Sequence, residues 1–368
     1  MAIDRRSLLL GTIAAISSRG WKAAAGDDGQ AAIAFAAAAK RADDSHCVLL
    51  LTHDGVIVRD IPLSARGHDV ALHAGTRRAV VFARRPGTFA VAFNLSHDSA
   101  PQIITSADGR HFYGHGAFSN DGQRLYVSEN DIAGGRGVIG IYDAARGYRK
   151  TGEHLSYGVG PHEIIMLADG NTLAVANGGL DTVPEAGRAN LNADAMQPSL
   201  TFVNSKSGAL LSKHTLAPEL QRLSIRHIAA DASGNIWFGA QWEGDQSQMP
   251  QLIGSAGMDR SVRLIAPAPR DAVDLKGYIG SMAASRDGTI IAASAPKAGR
   301  VVYIDAASGI VTASSVLKDA CGIAGESSDG FALTSGFGLL RHERAGAAIL
   351  PETQLAGIAF DNHLRRWG

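Results

Sequence analysis

The 368-residue sequence predicts an all-β fold, a seven-bladed β-propeller, on three observations. A phrase recurs in which a His, an apolar stretch and a small or acidic residue lead to Gly: His68-Asp-Val-Ala-Leu-His-Ala-Gly75, His115-Gly-Ala-Phe-Ser-Asn-Asp-Gly122, His162-Glu-Ile-Ile-Met-Leu-Ala-Asp-Gly170 and His227-Ile-Ala-Ala-Asp-Ala-Ser-Gly234. The first three of these histidines are 47 residues apart, a period typical of a blade repeat. Between the phrases lie short β-type runs punctuated by turn residues, in a chain with 43 glycines, which suits many tight turns.

The elements follow in order. Residues 1–25 read as an export segment of twin-arginine type. Arg5-Arg6 precedes the apolar run Ser7-Leu-Leu-Leu-Gly-Thr-Ile-Ala-Ala-Ile16, and Ala23-Ala-Ala25 supplies small residues for cleavage. The run is too short for a permanent membrane anchor. Residues 26–368 are expected to form one propeller domain in the periplasm, working as a monomer. Cys47-Val-Leu-Leu-Leu-Thr52 and the stretch ending at Pro62 read as two strands joined at Asp54-Gly55. Full blades then open at His68, His115, His162, His227, around Gly277-Tyr278 and at Ala320-Cys321. A polar insertion, 178–198, interrupts the third and is expected on the surface near the channel mouth. The tail, Gln354 to His363, reads as one more inner strand without outer partners. The strands before His68 have the opposite lack, so head and tail are expected to pair as a seventh blade, which removes free sheet edges.

Charge and cysteine content narrow the function. Lys+Arg and Asp+Glu both number 35, giving a formal net charge of zero, and no long basic run is present, so a basic face for nucleic acid is not expected. Cys47 and Cys321 can form one bridge or remain two buried thiols. No Cys-x-x-Cys-His, Gly-x-Ser-x-Gly or His-Glu-x-x-His is present, so no catalytic residue is assigned.

The inner strands of a propeller line one channel, so His68, His115, His162 and His227 are candidate metal ligands, for copper, iron, zinc or a haem iron. Hydrogen bonding to a neighbouring blade's backbone, or a polar small-ligand site, are the alternatives. Asp69 and Glu163 each follow such a His and can orient an imidazole. Strand alternation argues against each pairing with its own neighbour. Glu129, Asn130, Arg136, Glu163, Asn177, Arg226, Gln241 and Tyr278 fall near strand ends and are candidate ligand-binding groups. The later blades depart from the pattern, with Tyr278, Cys321 and Gly357 near the positions where His is expected.

Several motifs together resemble those of the bacterial propeller family DUF1513. They are Gly67-His68-Asp69, Gly114-His115-Gly-Ala-Phe118, Ser128-Glu-Asn-Asp131, Gly135-Arg-Gly-Val-Ile-Gly140, Gly160-Pro-His-Glu163, Ala176-Asn-Gly-Gly179, Ser224-Ile-Arg-His227, Trp237-Phe-Gly-Ala-Gln241, Gly277-Tyr-Ile-Gly280 and Cys321-Gly322. The resemblance covers nearly all of the chain after the export segment. It implies a periplasmic accessory in iron or haem acquisition, with imelysin-like or di-haem proteins as partners, and establishes no activity. The histidine arrangement is also similar to that of nitrous oxide reductases, propellers whose channel-facing histidines hold copper. The reading carried forward is a binding protein with a histidine-ringed channel. Its alternative is a lactonase-like or metal-dependent propeller enzyme that uses a His/Glu-bound metal.

Overall fold

The structure, a computed structural model, describes residues 32–95, 99–186, 191–266, 274–345, 347 and 349–367. The expected export segment, 1–25, lies outside the described residues. From Ile33 onward the chain forms one compact unit.

That unit is a seven-bladed propeller of antiparallel sheets. Blade one comprises β4 (Gly67–His73), β5 (Arg78–Ala83), β6 (Phe89–Asn94) and β7 (Gln102–Thr105), ordered from the channel outward. Blade two runs β8 (Arg110–Phe118), β9 (Arg124–Asp131), β10 (Arg136–Asp143) and β11 (Arg149–Leu155). Blade three runs β12 (Pro161–Met166) to β15 (Leu210–Thr215), and blade four β16 (Leu223–Ala230) to β19 (Arg260–Leu264). Blade five runs β20 (Ser281–Ala284) to β23 (Val311–Val316), and blade six β24 (Ala320–Gly325) to β27 (Ile349–Gln354).

Blade seven joins the two ends of the chain. Its outer strands are β2 (His46–Leu51) and β3 (Ile57–Leu63), as the Asp54-Gly55 turn predicts. Inside them lies β1 (Phe35–Arg41), which pairs with β28 (Ile358–Phe360) and β29 (Arg365–Arg366) of the tail. The tail thus supplies the innermost strand, and head and tail close the ring as expected.

Burial explains why these sheets assemble. Each junction between neighbouring blades has its own apolar cluster. Phe82, Phe112, Val127 and Tyr142 pack between blades one and two, and Trp237, Leu252, Ile279 and Ile304 between four and five. The last junction, between six and seven, holds Phe35, Cys47, Leu340 and Leu355. Cutting a buried Phe back to Ala at such a junction costs about 3–5 kcal/mol. Cys47 and Cys321 are both free and buried, and burial pushes the Cys47 thiol up to about 12. The turns that close the phrases of blades two, three and four place Gly122, Gly170 and Gly234 at φ of 66°, 67° and 79°, where a side chain is strained. Among the described residues no helix is long and apolar enough to cross a membrane.

A convergent histidine cluster in the channel

Five of the inner strands, β4, β8, β12, β16 and β24, share an irregularity that the turn pattern does not reveal. In β4 the pairing jumps from Gly67 to Val70, skipping His68 and Asp69. In β12 it jumps from Pro161 to Ile164, skipping His162 and Glu163. In β8 the break lies between Phe112 and Gly116 and contains His115, and in β16 it falls between Ile225 and His227. Such bulges re-aim side chains. They free His68 and Asp69, or His162 and Glu163, from strict alternation, so both members of each pair reach the channel.

The tail contributes a fifth histidine. Residues 361–364 separate β28 from β29, although the two segments pair with Ala39 and Ala36, only three positions apart on β1. His363 sits in this looped-out stretch and is buried. The five imidazoles form a closed circuit with ring-centroid separations of 4.8 Å for His68–His115, 4.8 Å for His115–His162, 4.9 Å for His162–His227, 4.9 Å for His227–His363 and 4.7 Å for His363–His68. Blade seven therefore presents His363 to the channel, and Gly357 is a turn residue with φ of 73°. Blade six carries Cys321 and Gly322 at its bulge. Blade five pairs regularly, and Tyr278 precedes its inner strand, bridged to Gln241.

Carboxylates from one blade hold imidazoles of the next. His115 Nδ1 donates to Asp69 Oδ2 at 2.9 Å, and His68 Nδ1 to Asp361 Oδ1 at 2.8 Å. His227 Nδ1 approaches Glu163 Oε2 at 3.3 Å. An ionised carboxylate only accepts, so each of these Nδ1 atoms carries a proton and Nε2 is the nitrogen left to face the channel. The carboxylates are themselves clamped. Arg365 binds Asp69 through Nε and Nη2, both at 2.6 Å, and reaches Glu163 Oε1 at 2.6 Å. Arg66 and Arg84 bind Asp361 at 2.6 and 2.8 Å.

Burial and these partners set the protonation states. Burial brings His68 down to about 3 and His227 to about 4, against the pull of Asp361 and Glu163. It also holds His162 and His363 well below the usual imidazole value. Burial would raise Glu163, but Arg365 and His227 bring it to about 2. Neutral imidazoles beside ionised, arginine-bound carboxylates result.

Three buried imidazole nitrogens of the cluster nevertheless have no partner: His115 Nε2, His162 Nδ1 and His363 Nε2. Ligand atoms of His68, His115 and His162 lie within 4.8 Å of one another, as do those of His115, His227 and His363. A triangle of that side has corners about 2.8 Å from its centre. A contraction of roughly 0.7 Å per ring therefore reaches the about 2.0–2.1 Å of a metal–imidazole bond.

The other candidate residues are placed differently. Glu129 is buried inside blade two, bound by Tyr142 and Lys150. Asn177 is bonded to Ser156 O and Thr201 Oγ1 within blade three. Asn130 holds the 178–198 insertion through Thr182 O at 2.9 Å, and Arg136 is exposed against Asp131. Arg226 pairs with Glu243 at 2.6 Å, and the Tyr278 hydroxyl accepts from Asn362 beside His363. A cavity of about 680 Å³ opens at the far ends of the inner strands of blades one to three, where Asp69, Phe118, Met166 and Arg365 line it. Asp361, His363 and Arg365 have no place in the repeating phrase. Their signal was the polar cluster Asp361-Asn-His363 in a tail that reads as an inner strand.

A family model described as "Protein of unknown function (DUF1513)" matches residues 61–367. No curated protein matches. Among solved structures, Kuenenia stuttgartiensis hydrazine synthase is similar at 13% identity with a TM-score of 0.62, over 92% of this chain and 100% of that one. At that identity the likeness concerns the fold.

Proposed function

For a chain that belongs to the DUF1513 family, we propose that the propeller channel is a transition-metal site and that the protein is an exported metal-binding protein. One observation carries this reading: five buried imidazoles, three of them with an unpartnered nitrogen, form two overlapping triads whose ligand atoms lie within 4.8 Å, and carboxylates of neighbouring blades orient them. Buried polar atoms are rarely left unpaired, and neutral imidazoles suit copper, zinc, iron or nickel. Ring centroids 4.7–4.9 Å apart around the circuit leave no room for a haem between them, so the site fits an ion. A role in handling iron or another transition metal in the periplasm extends this reading, supported by Arg5-Arg6 and by the family resemblance.

The test is metal content of the full chain after separate loading with copper(II), zinc(II) and iron(II). The comparison is the His115→Ala plus His363→Ala double variant, checked for native circular dichroism. Near one equivalent of a metal is expected in the wild type and almost none in the variant. A folded wild type that retains none of the three overturns the proposal.

A further inference from the structure

The five imidazoles do not share one electrostatic environment. Beside His115, His227 and His363 stand Asp69 and Glu163, and these two carboxylates share a single guanidinium, Arg365. Two negative charges there meet one positive. Beside His68 stands Asp361 alone, with both Arg66 and Arg84 on it. Arg66 is half exposed and screened, but the Arg84 side chain is only 15% exposed and its charge is felt. His162 has no carboxylate on either nitrogen, and Arg226, itself paired with Glu243, acts on both His162 and His227. The side of the channel with Asp69 and Glu163 is thus net acidic, and the side with Asp361 is close to neutral.

Resting on the metal reading above, we infer that the ion sits on Nε2 of His115, His227 and His363, and that His68 and His162 face its open position and hold a small exogenous anion there. The acidic side attracts the cation, and the anion is repelled least on the near-neutral side. Three imidazoles plus one open position is a common arrangement for a site that binds exogenous ligands. A divalent ion on three neutral ligands also leaves net charge in a buried site, which an anion reduces. The hydrogen-bonding inventory agrees. The His68 Nδ1 proton is committed to Asp361, so its Nε2 can only accept. His162 has no protein partner at Nδ1, so that nitrogen can donate to an anion. The His162 donor fits a small monovalent anion such as azide or hydroxide, and His68 Nε2 can accept in addition from one that carries a hydrogen, as hydroxide does.

The experiment uses the full chain loaded with copper(II), titrated with sodium azide and followed by optical and electron paramagnetic resonance spectra. A new charge-transfer band that saturates at one azide per copper is expected. His162→Ala and His162→Gln should keep copper near one equivalent, and the Ala variant should bind azide about tenfold more weakly, the loss of one hydrogen bond to an anion. His363→Ala should lose copper. An unchanged spectrum in a copper-loaded wild type overturns the anion position while leaving the metal site standing. Copper loss in both folded His162 variants, or copper retention in His363→Ala, assigns the ion to the other triad and overturns the inference. A wild type that takes up no copper, zinc or iron removes the parent reading as well.

Discussion

His68 and His227 are held neutral by burial although each bonds a carboxylate, and His162 and His363 are held neutral with no such bond. This has a consequence for stability. A histidine whose folded value lies below its unfolded value of about 6.5 takes up its proton first in the unfolded chain. Stability is therefore intact above about pH 6.5 and falls as the pH drops toward the folded values, about 3 for His68 and about 4 for His227. Glu163, with a folded value of about 2, adds its own loss only at more acidic pH, from its ordinary value of about 4.3 downward. Between about pH 6.5 and about pH 5 these four histidines thus dominate this effect, each costing roughly 1 kcal/mol per pH unit. Urea midpoints should fall clearly between about pH 7 and about pH 5, and less so in a folded variant with His68 and His227 both replaced by Gln. Equal midpoints for the wild type at the two pH values would show that these imidazoles are protonated in the native state.

The inner strands are where the ligands are aimed, and the tail is the one most easily displaced. A Cβ on Gly322 would lie 2.4 Å from Leu364 N and 2.7 Å from His363 C, both backbone atoms. Gly322→Ala should push His363 out of place and weaken metal binding by about tenfold or more. Gly152→Ala meets nothing within 4 Å and is the control. Equal metal affinity in both variants would show that the 361–364 loop does not position a ligand. This dependence on the tail also shows what the sequence made legible. Repeated phrases and turn glycines give the blades away because hydrophobic runs and turns repeat with them. The bulges are legible only in part, since His68-Asp69 and His162-Glu163 stand adjacent without revealing that both face inward. β1 escapes notice because Phe35-Ala-Ala-Ala-Ala-Lys-Arg41 combines weak strand formers with burial on both faces. His363 escapes because its strand is split and out of phase with the 47-residue spacing, although Asp361 and Arg365 beside it complete the cage.

At the scale of the whole molecule, closure of the ring and completion of the site are one event. Residues 358–366 supply the innermost strand of blade seven together with His363, the Asp361 carboxylate on His68 and the Arg365 clamp on Asp69 and Glu163. Ligands on blades two, four and seven make a bound ion a cross-link between blades that do not all touch. Such an ion binds only the closed ring, so it stabilises the fold by mass action, by about 2.7 kcal/mol at a hundredfold excess over Kd. The thermal midpoint of the full chain should rise by several degrees on loading with the metal it retains. A chain ending at Leu355 keeps the outer strands of blade seven but leaves β1 as an uncovered inner edge. It should show no metal-dependent rise and should associate with increasing concentration on size-exclusion chromatography. A truncated chain that stays monomeric and still gains the same thermal shift would place the ion elsewhere, independent of the tail. Loss of the shift with retention of the monomer would instead separate the two roles, leaving the tail as a ligand donor to a ring that other blades already hold shut.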